Sequence, residues 1–185
     1  SYKKVPVAVF RGGDGEVIER VNGSSSIIAK VLEAKGVEAS EESLKWLKWA
    51  DEYLAVRIYP ALTDTFSSSL NAFSYLDETD FTTFEKVSAK YVGALAMVLA
   101  NGKIKKKYNL GDVNEELRSA VKIWCNEAIG DKKFQGGDAI SVADVGVYGI
   151  LKGLEGVEGD WIDIVMGDER LKAWFGRCEE VVGAL

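Results

Sequence analysis

FQGGDAISVADVGVYGILKGL, residues 134–154, decides how the chain is read. Ser141-Val142-Ala143-Asp144 has the spacing of a capping box. Ser141 is the expected N-cap, and Asp144 at the third helical position can reach back to the Ser141 N–H. Asp is the shorter variant of the usual Glu or Gln. Ile140 before the cap and Val145 after it can close a hydrophobic staple. Val145, Tyr148, Ile150, Leu151 and Leu154 follow, with Gly146 and Gly149 among them. A helix this apolar needs cover on nearly every side, and two glycines leave its stability to packing. The stretch predicts a buried central helix that carries fold and no chemistry.

Outward from it, most of the chain has helical spacing. Ser40 with Glu41 and Glu42 opens a helix with Leu44, Leu47, Ala50, Leu54, Ile58 and Leu62 on one side, widened by Trp46, Trp49 and Tyr53. Pro60 is expected to end it. A polar stretch over 63–69 and a short helical piece over 70–76 come next. A long helix over 82–107 follows, with Phe84, Val87, Tyr91, Ala94, Leu95, Val98 and Leu99 as its apolar set. Gly93 and Ala89, Ala94 and Ala96 allow a neighbouring helix to approach. Lys103 and Lys105 to Lys107 suit the end of its dipole and are read as a solvated helix terminus, with a phosphate or acidic-lipid contact as the alternative. A helix over 113–129 is opened by Asp112 or Asn114 and closed by Gly130, with Leu117, Val121, Trp124, Cys125 and Ala128 on one face. A short apolar piece at 161–165 precedes a last helix over 168–182, with Leu171, Trp174, Phe175, Cys178 and Val182 inward.

The opening is different. Residues 2–10 and 16–21 are strand-like and flank Gly12-Gly13-Asp14-Gly15, a hairpin signal. Pro6 must sit at an edge, at a bulge or at the first residue of its strand. Asn22 to Ser26 are expected to cap a helix over 27–34 that Gly36 ends. The pattern is α+β and mostly α, a β-β-α segment followed by an all-helical bundle.

The totals exclude several functions. The 185 residues carry a net charge of -6, which disfavours a nucleic-acid binder, and no apolar run is long enough for a membrane span. There is no histidine, so no Ser-His-Asp triad, Cys-His pair or histidine-held metal or haem can form within these residues. Cys125 and Cys178 lie on apolar helical faces and are expected to be inert core thiols. There is no C-x-x-C, and no pair of carboxylates stands out as an acid/base couple. No catalytic residue and no metal ligand set is assigned.

A β-β-α segment, a linker and a bundle with a Ser-x-x-Asp box resembles the glutathione transferase fold. Residues 1–37 correspond to the C-terminal part of its thioredoxin-like domain and 38–185 to its helical domain. SEESLKWLKWADEYL from Ser40, AKYVGALAMVLANGKIKKKYNL from Ala89 and the Phe134 stretch are similar to the membrane-associated prostaglandin E synthases of type 2. The opening YKKVPVAVF resembles their KVP strand. The resemblance implies thiol-dependent isomerisation of prostaglandin H2 to prostaglandin E2, with glutathione and haem as bound groups. It implies glutathione contacts from Val5, Pro6, Ser24 and Ser25, with Gly23 standing where the family carries an acidic residue. The reactive thiol of the family belongs to a C-x-x-C on an upstream strand-helix unit, which these residues lack. The alternative is a catalytically silent scaffold or a subunit of a larger assembly. Half a thioredoxin-like sheet has an open edge, so an upstream segment, a second copy in a homodimer or another subunit is expected to cover it. Mitochondrion, Golgi membrane and cytosol are the compartments the resemblance implies.

Overall fold

The computed structural model describes residues 6–63, 65–155, 157 and 161–183. Strands β1 (Val7–Arg11) and β2 (Val17–Asn22) pair antiparallel, Val7 opposite Asn22 and Phe10 opposite Glu19, with a bulge between Phe10 and Arg11. The glycine turn closes through Gly12 N–H to Glu16 O at 2.9 Å, and Asp14 Oδ1 accepts the Glu16 N–H at 3.0 Å. Gly15 turns at φ +83°, where a residue with a Cβ is strained. Pro6 stands just ahead of β1, where its missing N–H breaks no rung. Its carbonyl accepts the Gly23 N–H at 3.0 Å.

Helix α1 (Ser24–Lys35) ends in a left-handed Gly36, and Val37 N–H reaches back to Leu32 O at 2.9 Å. It begins three residues earlier than the sequence led us to expect. Gly23, at φ +92°, is the N-cap, so Ser24 to Ser26 form the first turn instead of preceding it. No described residue before Ser43 is buried.

Helix α2 (Glu41–Trp49) starts at Ser40, whose hydroxyl accepts the Ser43 N–H at 3.1 Å. It runs through a π-helical turn (Ala50–Leu54) directly into α3 (Ala55–Leu62). Pro60 does not end this rod. It is two residues from the terminus, so it costs one rung only, and its carbonyl is taken by Asn101 Nδ2 at 3.1 Å and Thr63 N–H at 3.3 Å. The serine-rich stretch expected to be irregular is helix α4 (Phe66–Asn71), because Thr65 caps it through the Ser68 N–H at 3.0 Å. A 3-10 turn (Ser74–Glu78) follows. Helix α5 (Thr83–Tyr108) opens on a Thr82–Glu85 capping box and closes at a left-handed Asn109. Only Ala94 and Asn101 of α5 are buried, so most of the apolar set expected inward lies on the surface. Gly93 faces the ring of Phe73, which a Cβ would strike.

Helix α6 (Val113–Ile123) is capped by Asp112, and a second π turn (Trp124–Ile129) carries it to Gly130. Helices α7 (Val142–Lys152), α8 (Trp161–Met166) and α9 (Glu169–Gly183) complete the body. Val182 at the end of α9 is exposed, contrary to expectation. Trp124 sits at the centre of the core. Its ring lies 6.0 Å from Trp46, 6.0 Å from Trp49 and 5.3 Å from Trp174. Helix α7 buries Ala143, Val147, Tyr148 and Leu151, while Val145 faces out and Ile150 is half-buried. Gly146 lets α2 come close, since a Cβ there would stand 2.6 Å from Leu47 Cδ1.

The capping box forms as the sequence predicts and extends further than it predicts. Asp144 Oδ2 accepts the Ser141 N–H at 2.8 Å and the Ser141 hydroxyl at 2.7 Å. Oδ1 accepts the Gln135 N–H at 2.9 Å and the Trp174 indole N–H at 2.8 Å. Gln135 Oε1 in turn accepts the Ser43 hydroxyl at 2.8 Å. One buried carboxylate thus joins α2, the loop before α7, α7 itself and α9. Asp144→Ala removes the acceptor of all four donors in a closed site, and only the Ser141 hydroxyl has another one within reach, Gln135 Oε1 at 2.8 Å. A loss of about 3 kcal/mol is expected, read as a lower urea midpoint at unchanged slope by circular dichroism.

Candidate functional site

A cleft of about 230 Å³ lies where α1 meets the body, lined by Ser24, Ile28, Leu47, Asp51, Gly146 and Gly149, among others. Its walls are mostly apolar. Its polar end is the N-terminus of α1, where the first N–H groups lack helical partners and the dipole favours an anion. The Asp51 carboxylate occupies that end. Ser24 Oγ donates to Asp51 Oδ1 at 2.8 Å, and the Ser25 N–H donates to Oδ2 at 3.1 Å. The donors that resemblance assigned to a glutathione carboxylate thus hold a carboxylate of the chain's own.

Of the four residues named for glutathione, Ser24 and Ser25 are together at this cleft. Pro6 is on the exposed rim of the hairpin, and Val5 lies outside the described residues. Gly23 adopts φ +92°, a conformation that an acidic residue would occupy only with strain. The carboxylate beside this turn is that of Asp51. Sequence reading passed over Asp51, although it interrupts the Leu47, Ala50, Leu54 stripe with a charge. A carboxylate on an inward stripe is the signal that could have found it.

The thiols are elsewhere. Burial pushes Cys125 up to about 12, helped by the Asp168 carboxylate, and Cys178 up to about 12, helped by Asp144. Neither can supply a thiolate near neutral pH. The described residues therefore fit haem poorly, having no histidine and no accessible thiolate to ligate it. Among the described residues no group of three or more acidic, thiol or imidazole side chains could hold a metal ion. None of the described helices is long and apolar enough to cross a membrane. A larger cleft of about 500 Å³ opens between α6 and the α8–α9 corner, lined by Arg118, Lys122, Asp163 and Asp168, among others. It contains no nucleophilic thiol.

The geometry is that of a mostly helical α+β protein whose first helix meets the body at the Asp51 carboxylate and beside Ile28. No family model matches the chain. It is similar to prostaglandin E synthase 2 of Mus musculus, 36% identical over 231 residues that take in 98% of this chain and 59% of the mouse protein. It is also similar to prostaglandin E synthase 2 of Danio rerio, 35% identical over 147 residues, 78% of this chain and 38% of the fish protein. The chain therefore spans under two thirds of the length of either relative. The mouse alignment is longer than the 185 residues here, so the mouse protein carries residues within it that this chain lacks. This homology supports the prostaglandin E synthase 2 family.

Two outcomes are expected. Asp51→Ala removes the clasp on α1, so the amides of its first turn exchange at least tenfold faster while the body's melting temperature is little changed. Native protein at pH 8 leaves both thiols unlabelled by a disulfide reagent, and both react once it is unfolded. Unfolded thiols ionise near 9 and the folded ones near 12, so their contribution to stability is complete below pH 9 and is lost as pH rises towards 12.

Proposed function

We propose that this chain is the glutathione-facing region of a prostaglandin E synthase 2-type protein with a glutathione transferase-like arrangement. Residues 1–37 form part of a thioredoxin-like domain in this reading, and 38–185 form the helical domain. The reaction of the whole protein is isomerisation of prostaglandin H2 to prostaglandin E2, using a thiol that the residues here do not supply. The observation that supports the binding role is the pair of donors at α1. The Asp51 carboxylate seated on Ser24 Oγ and Ser25 N–H supports reading these groups as donors to an anionic terminus. The apolar walls beside them can take the rest of a small peptide. In this role Ser24 and Ser25 hold a glutathione carboxylate after Asp51 withdraws, while the Pro6 backbone borders the ligand.

A second reading, a catalytically silent scaffold of the same fold, is favoured by Asp51 itself. The α1 donors are satisfied by the chain's own carboxylate and both thiols are buried, so neither feature calls for a ligand. Calorimetry of native protein with glutathione separates the two. Saturable binding that falls at least tenfold in Ser24→Ala supports the first. No heat up to millimolar glutathione rules it out and leaves the scaffold.

A further inference from the structure

We propose that a small pocket between the second π turn and α9 binds a phosphate group, either free phosphate or the phosphate of a small monoester. The pocket encloses about 150 Å³ and is lined by Cys125, Ile129, Lys132, Arg170, Ala173 and Arg177, among others. Three of these side chains are cations. Arg170, Ala173 and Arg177 recur at helical spacing, so α9 presents them on one face. Lys132 comes from the loop that follows the π turn. Cys125, Ile129 and Ala173 supply an apolar wall, where a charge-assisted bond is worth more than in open water.

Neutral acceptors hold all three cations in place. Arg170 Nη1 donates to Asn126 Oδ1 at 2.7 Å, and its Nη2 donates to Cys125 O at 2.8 Å and Gly130 O at 2.7 Å. Arg177 Nε and Nη2 donate to Lys133 O at 3.2 and 2.9 Å. Lys132 Nζ donates to Gln135 O at 2.9 Å. None of the three forms an ion pair among the described residues. The Asp168 carboxylate, 3.8 Å from the Cys125 thiol, is taken up as the cap of α9 by the Arg170 and Leu171 N–H groups and lines the larger cleft instead. The side chains are thus fixed while their charge stays uncancelled. A guanidinium has five donors and an ammonium three, so each cation keeps donors to spare. Capping the carbonyls at the end of the π turn needs Arg170 alone. It leaves Arg177 and Lys132 beside it without a reason, whereas an anion among the three relieves their mutual repulsion. Volume narrows the class. Sites for drug-sized ligands begin at roughly 300 Å³, so this one suits a compact tetrahedral oxyanion, for which arginine forks are the fitting donors. The pocket shares no lining residue with the α1 cleft and does not depend on what that cleft binds.

The test is a titration of the native chain with inorganic phosphate and with glycerol 3-phosphate, followed by amide NMR shifts at ionic strength held constant with chloride. Saturable shifts at residues 125–133 and 170–177 are expected, with a Kd of about 1 mM or tighter for at least one of the two. Equal affinities identify free phosphate as sufficient, and a tenfold preference for the ester identifies a phosphate monoester. Lys132→Gln and Arg177→Gln are each expected to weaken binding at least tenfold with unchanged circular dichroism. Lys132 is exposed, so its replacement leaves the core intact. Arg118→Gln, in the larger cleft, should bind as the native chain does. No saturation by either compound up to about 20 mM overturns the proposal. So does binding that survives both Lys132→Gln and Arg177→Gln, or that is lost equally in Arg118→Gln.

Discussion

The Asp144 carboxylate is where the helical body is pinned. A buried carboxylate is costly unless each oxygen is satisfied, and here two donors reach each one. Those donors come from elements that are far apart in sequence. The Trp174 indole arrives from the last helix, Gln135 from the loop before α7, and Ser43 joins through Gln135. A helix cap is ordinarily a local device. In this protein the cap extends into a network that sets how α2, α7 and α9 lie against one another. The tryptophan cluster around Trp124 fills the space that this network fixes, and Gly146 lets α2 and α7 close over it.

The hairpin and α1 obey another regime. They bury no residue, and the clasp between Asp51 and the start of α1 is charge-assisted and half-buried. Such a contact is directional but can be exchanged, because another carboxylate offers the same donors the same bond. Packing holds the body, whereas the hairpin unit joins it through half-buried contacts, with the Asp51 hydrogen bonds at one helix end the polar part.

The features legible in sequence were those decided within a few residues. Ser40 and the Ser141–Asp144 box cap their helices as read, Asp112 rather than Asn114 caps α6, the glycine turn makes its hairpin, and Cys125 and Cys178 are core thiols. The features that escaped depend on partners distant in the chain. Asp51 meets Ser24 across 27 positions and Trp174 meets Asp144 across 30. Periodicity showed that α5 has an apolar face, but it cannot say whether anything in the same chain covers it. Pro60 was read as a terminator because the Asn101 bond that accommodates it comes from another helix. The two π turns leave no local mark, since a widened turn serves the packing around it. Within the cleft, the resemblance points to Ser24 and Ser25 but not to Asp51, whose carboxylate meets both across the fold.

The distribution of tryptophan has a practical consequence. All five, Trp46, Trp49, Trp124, Trp161 and Trp174, belong to the helical body, and the first 45 residues contain none. The Trp124 indole N–H is buried among three other rings with no hydrogen-bond partner, the setting of a blue-shifted emitter. Intrinsic fluorescence is consequently blind to the hairpin and α1. Their detachment would leave the emission of the core where it was, so a single sharp fluorescence transition certifies the body alone. A reporter placed on α1 would be needed to see whether the two parts separate together or in sequence.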